Sequence, residues 1–242
     1  MNTILVSDIH LGARNNRTEL LAELLRSDFD RLILNGDTVD CMDFRRFRPR
    51  DWRIVHQLQE IARERELVLV RGNHDGKASE EHFHALDALA DILGTQWHEE
   101  YPLNVGSDRY LVLHGDQFDH TLNLSWVGDA ADWFYRQTQR ASTSVARFLK
   151  GRVKHWGGVN ESVRVGAIRY ARENGFSGVI TGHTHFCHDE IIDNVHYLNS
   201  GCWVDWPCTF IRADHISIEL CRWPEGIRLP QEPGRVLAAV SA

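Results

Sequence analysis

The 242-residue chain is long enough to bury a full hydrophobic core, and 43% apolar with 25% charged residues exclude wholesale disorder. Its 34 acidic and 27 basic side chains leave a net charge of −7, which argues against a nucleic-acid binder that works through overall charge. The five cysteines (Cys41, Cys187, Cys202, Cys208, Cys221) are odd in number and scattered, a usage that fits a reducing cytosol better than a disulfide scaffold.

The chain opens directly into an apolar run, Thr3 to Val6, read as the first strand and followed by Asp8 and His10. No leader peptide or membrane span is expected, so the expected location is cytoplasmic, with any membrane contact peripheral and on the inner face. Thr18 is a candidate N-cap for a helix carrying Leu20, Leu21, Leu24 and Leu25 on one side. Leu32 to Leu34 reads as a second strand ending in Gly36-Asp37, with Asp40 close behind. Asp51 opens a second helix in which Ile54, Val55, Leu58, Ile61 and Ala62 recur at helical spacing. Leu67 to Val70 is a third strand, delivering Gly72-Asn73-His74-Asp75. This βαβαβ rhythm predicts an α/β fold with functional residues at the carboxyl ends of the strands.

A helix is expected around Phe83 to Leu93, then a strand from Tyr110 to Leu113 ending at His114. The link from there to the next ligand-bearing strand, Val179-Ile180 before Gly182-His183-Thr184-His185, is long for one α/β connection. Within it, Trp126 to Lys150 fits an amphipathic helix: Arg136, Arg140, Arg147 and Lys150 form one stripe, opposite Val127, Ala130, Phe134, Ala141, Val145 and Phe148. Such a helix can lie on an anionic membrane, cover an acidic substrate or pack on its own domain with a solvated basic face. Arg136 and Arg140 are the candidate substrate-binding residues. Asn160 and Gly175 bracket a further helix. Short antiparallel strands are expected at 190–192, 195–198, 209–212 and 216–220, and the Pro-containing tail beyond Trp223 is expected to lie over the surface.

Singly, an Asp-x-His or His-x-His is commonplace. Five such motifs, each at the end of an apolar run, describe a metal site on the rim of a sheet. Asp8, His10, Asp37, Asn73, His114, His183 and His185 supply the mixture of carboxylate and imidazole that two divalent ions about 3.5–4 Å apart require. Such a pair binds phosphate oxygens and turns water into hydroxide near neutral pH. The histidines shift the expectation from magnesium toward manganese, with iron or zinc as alternatives.

The set and order of these motifs resemble the calcineurin-like metallophosphoesterase family, from residue 3 to about 200. The resemblance implies a two-sheet metallophosphoesterase sandwich, a βαβαβ core flanked by helices. Residues 1–242 would form a single domain with a helical cap insertion at about 120–160. It further implies that Asp8, His10 and His185 hold one metal, that Asn73, His114 and His183 hold the other, and that Asp37 bridges them. His74 would act on the phosphoryl oxygens or the leaving group, and Asp40 would orient it. Ser7 to Gly12, His114 to Asp119 and Asn199 to Asp205 look most like the UDP-2,3-diacylglucosamine hydrolase group, whose members cleave the pyrophosphate of a nucleotide-linked lipid. The best-known members carry Arg where this chain has His74. The implied partner is a phosphorylated small molecule or nucleotide-linked lipid, with membrane contact through the 126–150 helix. A phosphodiesterase acting on soluble nucleotides or nucleic-acid ends, and a non-catalytic metal-binding module, are the competing readings.

Overall fold

A computed structural model describes residues 1–40, 44–75, 80–119 and 153–235. Four layers make up the fold, two sheets face to face with helices on both outer sides. The first sheet holds β1 (Thr3–Val6), β2 (Arg31–Asn35), β3 (Glu66–Val70) and β4 (Trp97–His98), all mutually parallel. The second contains β5 (Glu100–Val105), β6 (Asp108–Leu113), β7 (Gly178–Thr181), β8 (His188–Ile192) and β9 (Val195–Asn199). The chain then returns to the first sheet with β10 (Cys208–Ala213), which pairs antiparallel to β1, and β11 (Ile218–Trp223).

Strict side-chain alternation explains the layers. Leu5, Ile33, Val68 and Val70 point inward and meet Val112, Ile180 and Leu198 of the second sheet. Their neighbours Ile4, Val6, Leu32, Leu34, Leu67 and Leu69 point outward, onto α1 (Thr18–Leu24), α2 (Pro49–Glu64) and α3 (Glu80–Leu93). On the far side Leu111, Leu113, Val179 and Tyr197 pack on Ala167, Ile168 and Ala171 of α4 (Val153–Glu173). Strands buried on both faces must be apolar throughout, which is why they read as continuous Val, Ile and Leu runs. Each fully buried aliphatic side chain contributes about 1.5–3 kcal/mol.

The structure revises several sequence expectations. Thr18 is the first helical residue of α1, and Arg17 before it makes no side-chain cap. α2 begins at Pro49, so Asp51 is its third residue, where the buried carboxylate accepts the Arg48 backbone N–H at 2.8 Å. α4 starts at Val153, leaving Asn160 well inside the helix; Gly175, at φ 71°, does follow its end. The strands β4 and β5 have no counterpart in the sequence reading. The two late hairpins belong to different sheets, since β9 pairs parallel with β7 while β10 crosses to β1. The described tail does lie mostly exposed from Pro224 to Gln231, and it also adds an edge strand to each sheet: β12 (Ile227–Arg228) pairs with β11, and β13 (Glu232–Arg235) with β8. The 126–150 helix, with Arg136 and Arg140, lies outside the described residues. Among those described, no helix is long and apolar enough to cross a membrane.

Candidate metal centre

β1, β2 and β3 run parallel in one sheet, β6 and β7 in the other, and all five carboxyl ends meet at one rim. Hydrogen bonds stitch the two sheets together there. Asn35 donates its side-chain amide to the Leu113 carbonyl (3.1 Å), and the Trp203 N–H donates to the Asp8 carbonyl (3.0 Å). The loops nest closely. A side chain at Gly36 would overlap the His114 ring, and one at Gly72 would overlap the backbone nitrogen and carboxylate of Asp37.

The sequence-predicted residues come together. Asp8 Oδ1 lies 3.2 Å from His185 Nε2, which lies 3.2 Å from His10 Nε2. Asp37 spans the two halves of the site, with Oδ2 3.7 Å from His10 Nε2 and Oδ1 3.4 Å from His114 Nε2. Asn73 Oδ1 is 3.0 Å from His183 Nδ1, and the His183 and His114 rings meet edge to face at 5.3 Å. Donor atoms of Asp8, His10 and His185 fall within 4.8 Å of one another, as do those of Asp8, Asp37 and His114, and of His10, Asp40 and His74.

Backbone strain is concentrated at the same place. Asp8, His10, Asp37, His183 and His185 all have φ between 45° and 64°, and the only other described non-glycine residues with positive φ, Asp193 and Asn194, make the β8–β9 turn. Strain of this kind costs about 1–3 kcal/mol per residue and persists only where surrounding structure enforces it.

Burial would push the Asp8 and Asp37 carboxyls up, yet both are held down, Asp8 by His185 and Asp37 well below its ordinary value by His114 and His74. Conversely, burial opposes charge on His114 and His185, but Asp37 lifts His114 to about 10 and Asp8 lifts His185 well above the imidazole range. Burial drives His10 down to about 3. Each buried carboxylate and its neighbouring imidazole thus favour each other's charged form, and among the described residues no Lys or Arg pairs with either carboxylate. Asp8 Oδ1, His10 Nδ1 and His114 Nε2 are buried without a hydrogen-bond partner. His114 Nδ1 donates to the Asn35 carbonyl at 2.9 Å, which aims Nε2 at Asp37. Orphaned ligand atoms, anionic oxygen and imidazole in one buried cluster fit divalent cations of intermediate softness.

Two details differ from the expected arrangement. The His74 ring is held through Nδ1 by the backbone carbonyl of Asp40 (2.9 Å), not by its carboxylate. That carboxylate instead binds Arg46 Nη2 at 2.6 Å and faces His10 Nδ1 at 3.8 Å. Of the two acidic residues that follow the His114 motif, Asp116 and Asp119, it is Asp119 that touches the site, with Oδ2 3.0 Å from His183 Nε2. The sequence reading also missed Asp75. Its buried carboxylate accepts the N–H groups of Val39 and Gly72, both at 3.0 Å, and so ties the β2 and β3 ligand loops together. Burial raises its pKa to about 7. Its only signal was its place at the end of the Gly-Asn-His-Asp motif. His188, three residues beyond His185, bonds Glu190 at 2.8 Å within β8.

A two-sheet sandwich with a rim of paired carboxylates and imidazoles defines the class: a metal-dependent hydrolase fold. The chain belongs to the calcineurin-like phosphoesterase family, whose family model matches residues 1–187, and with that family comes metal-dependent phosphoester hydrolysis. No curated protein sequence matches the chain. Among solved structures it is similar to the phosphoesterase Yfce from E. coli, at 17% identity and TM-score 0.53, covering 96% of this chain and 98% of that one. It is also similar to wild-type Vps29 from Entamoeba histolytica in complex with zinc, at 14% identity and TM-score 0.50, covering 94% and 95%. At such identities the likeness is one of fold.

Proposed function

We propose that this protein hydrolyses a phosphoester or phosphoanhydride with two divalent metals, and that UDP-2,3-diacylglucosamine or a related nucleotide-linked lipid is its substrate. The observation that carries the reading is the convergence of Asp8, His10, Asp37, His114 and His185 at one rim with ligand atoms left unsatisfied. Asp8, His10 and His185 would hold one ion, Asn73, His114 and His183 the other, and Asp37 both. Manganese is our assignment, with iron and zinc as the competing metals. Bound there, the ions would supply Lewis-acid neutralisation of phosphate charge and an activated water.

The chain's own groups do the rest. His74, part-buried and fixed at Nδ1 by the Asp40 carbonyl, holds Nε2 4.0 Å from Asp37 Oδ2 at the edge of the cluster, where it can donate a proton to a phosphoryl or leaving oxygen. Asn35, through the His114 ring, and the Asp75 brace keep the ligand set rigid. In this reading residues 1–242 form one domain, the 120–160 insertion covers the site, and Arg136 and Arg140 meet the substrate. The 126–150 helix touches the inner face of the membrane.

The test is manganese-loaded turnover on UDP-2,3-diacylglucosamine and bis(p-nitrophenyl) phosphate side by side. A strong preference for the lipid supports the full reading. Turnover of the diester alone discards the lipid and leaves a phosphodiesterase for soluble nucleotides. Metal binding without turnover of either favours a non-catalytic module, the outcome to compare with the zinc complex of Vps29.

A further inference from the structure

Four arginines fall within six residues, Arg45, Arg46, Arg48 and Arg50, and the only acidic residue from Phe44 to Arg53 is Asp51. Asp51 is fully buried and both of its oxygens are occupied, Oδ1 by the Asn16 side-chain amide (2.7 Å) and Oδ2 by the Arg48 backbone N–H (2.8 Å). Arg46 pairs with Asp40. Arg48 and Arg50 have no carboxylate at ion-pair distance among the described residues. Both guanidinium groups instead converge on one acceptor, the Arg14 carbonyl, at 3.5 and 3.0 Å, and Arg50 also donates to Asn16 Oδ1 at 2.9 Å.

Two like charges gathered on a single neutral oxygen repel each other, and an anion between or beside them would relieve that repulsion. The 16-residue helix α2 starts between them at Pro49 with its first turn already capped by the buried Asp51 carboxylate, so the positive charge on offer here is that of the two guanidinium groups. This basic lip, on a chain of net charge −7, borders the metal centre. Asn16, the acceptor for Arg50, donates its amide to the carbonyl of His10 at 3.2 Å. Arg46, in the short 3-10 turn that precedes α2, reaches Asp40, whose carbonyl holds His74.

We propose that Arg48 and Arg50 form a subsite for a second phosphate of the substrate, adjacent to the phosphate that is cleaved. The planar guanidinium fork matches phosphate oxygens in a bidentate manner that a lysine cannot reproduce. The subsite selects phosphoanhydrides and nucleoside-diphosphate esters over compounds with a single phosphate. It deepens the hydrolase reading above and rests on it for its place in catalysis, but anion binding by the lip requires neither metal nor turnover.

The two can therefore be tested separately. Inorganic pyrophosphate and inorganic phosphate are titrated into chelator-treated protein while the side-chain Nε–H resonances of Arg48 and Arg50 are followed. Saturable shifts of both signals, tighter for pyrophosphate, are expected. Their absence, or equal affinity for the two anions, overturns the proposal without any variant having to fold. In the manganese-loaded enzyme, Arg48→Gln/Arg50→Gln should raise KM for a nucleoside-diphosphate ester about tenfold, the cost of losing a charge-assisted contact. Its kcat, and both constants for bis(p-nitrophenyl) phosphate, should stay put. Equal losses on both substrates would mean that Arg50 merely ties the Arg14 turn to α2. If wild-type enzyme turns over neither compound, the hydrolase reading fails while the titration still decides the subsite.

Discussion

Asp40 carries two separable contacts, and substitution can tell them apart. Its carbonyl positions His74, whereas its carboxylate neutralises Arg46 and faces the unpartnered Nδ1 of His10. Asp40→Asn keeps the carbonyl and removes the charge, so metal content should fall while the His74 geometry survives. His74→Ala should do the reverse, sparing metal content and lowering turnover by about 10²–10⁴-fold, the range for a general acid. Elemental analysis and kcat on the same samples check both. Metal loss in His74→Ala, or an Asp40→Asn enzyme that is fully loaded yet slow, would return the orienting role to the Asp40 carboxylate.

The strand-end loops work as elements because they touch. The β3 loop reaches the β2 loop through the His74 N–H, which donates to Asp37 Oδ1 at 2.8 Å, and through the two bonds of Asp75. That approach is possible only because Gly72 has no side chain. Gly72→Ala places a methyl group where Asp37 stands, and either the loops separate or the carboxylate turns away. The expected result is a drop of several degrees in Tm together with reduced metal content. A control such as Gly94→Ala, where nothing lies near the added carbon but φ is 67°, should cost stability alone. Equal metal content in the two variants would contradict the close-packed account of the rim.

For the molecule as a whole, metals and protons compete for the same buried charge. In metal-free protein the folded pKa of His114 is about 10 against an ordinary 6.5, so its stabilising contribution is complete below pH 6.5 and fades as pH rises toward 10. Asp37, held low, contributes above its ordinary value of 3.8 and stays constant across that window. A metal ligand must be neutral imidazole, so metal uptake releases the His114 proton and tightens with pH. Chelation should therefore lower Tm, with ion at about 100 times Kd contributing about 2.7 kcal/mol. The gap between loaded and stripped protein should widen from pH 6.5 to 9. A gap that narrows would show that His114 is not displaced from its proton by metal.

The apolar runs at residues 3–6, 67–70 and 110–113 and the polar triplets after them were enough to locate the core strands and to single out the carboxylates and imidazoles that meet at the rim, though not the Asp75 brace or the Asp119 contact. Burial on both faces permits only one kind of strand, and chemistry at the strand end permits few kinds of ligand. The sequence did not determine which sheet each late hairpin joins, that the tail supplies β12 and β13, or that β4 and β5 exist. Those pairings are long-range or involve strands too short or too exposed to carry a pattern. Nor could it choose Asp119 over Asp116, or the carbonyl over the carboxylate of Asp40. Those choices are made by a few ångströms of loop geometry, and that geometry arises only when the two sheets close on each other.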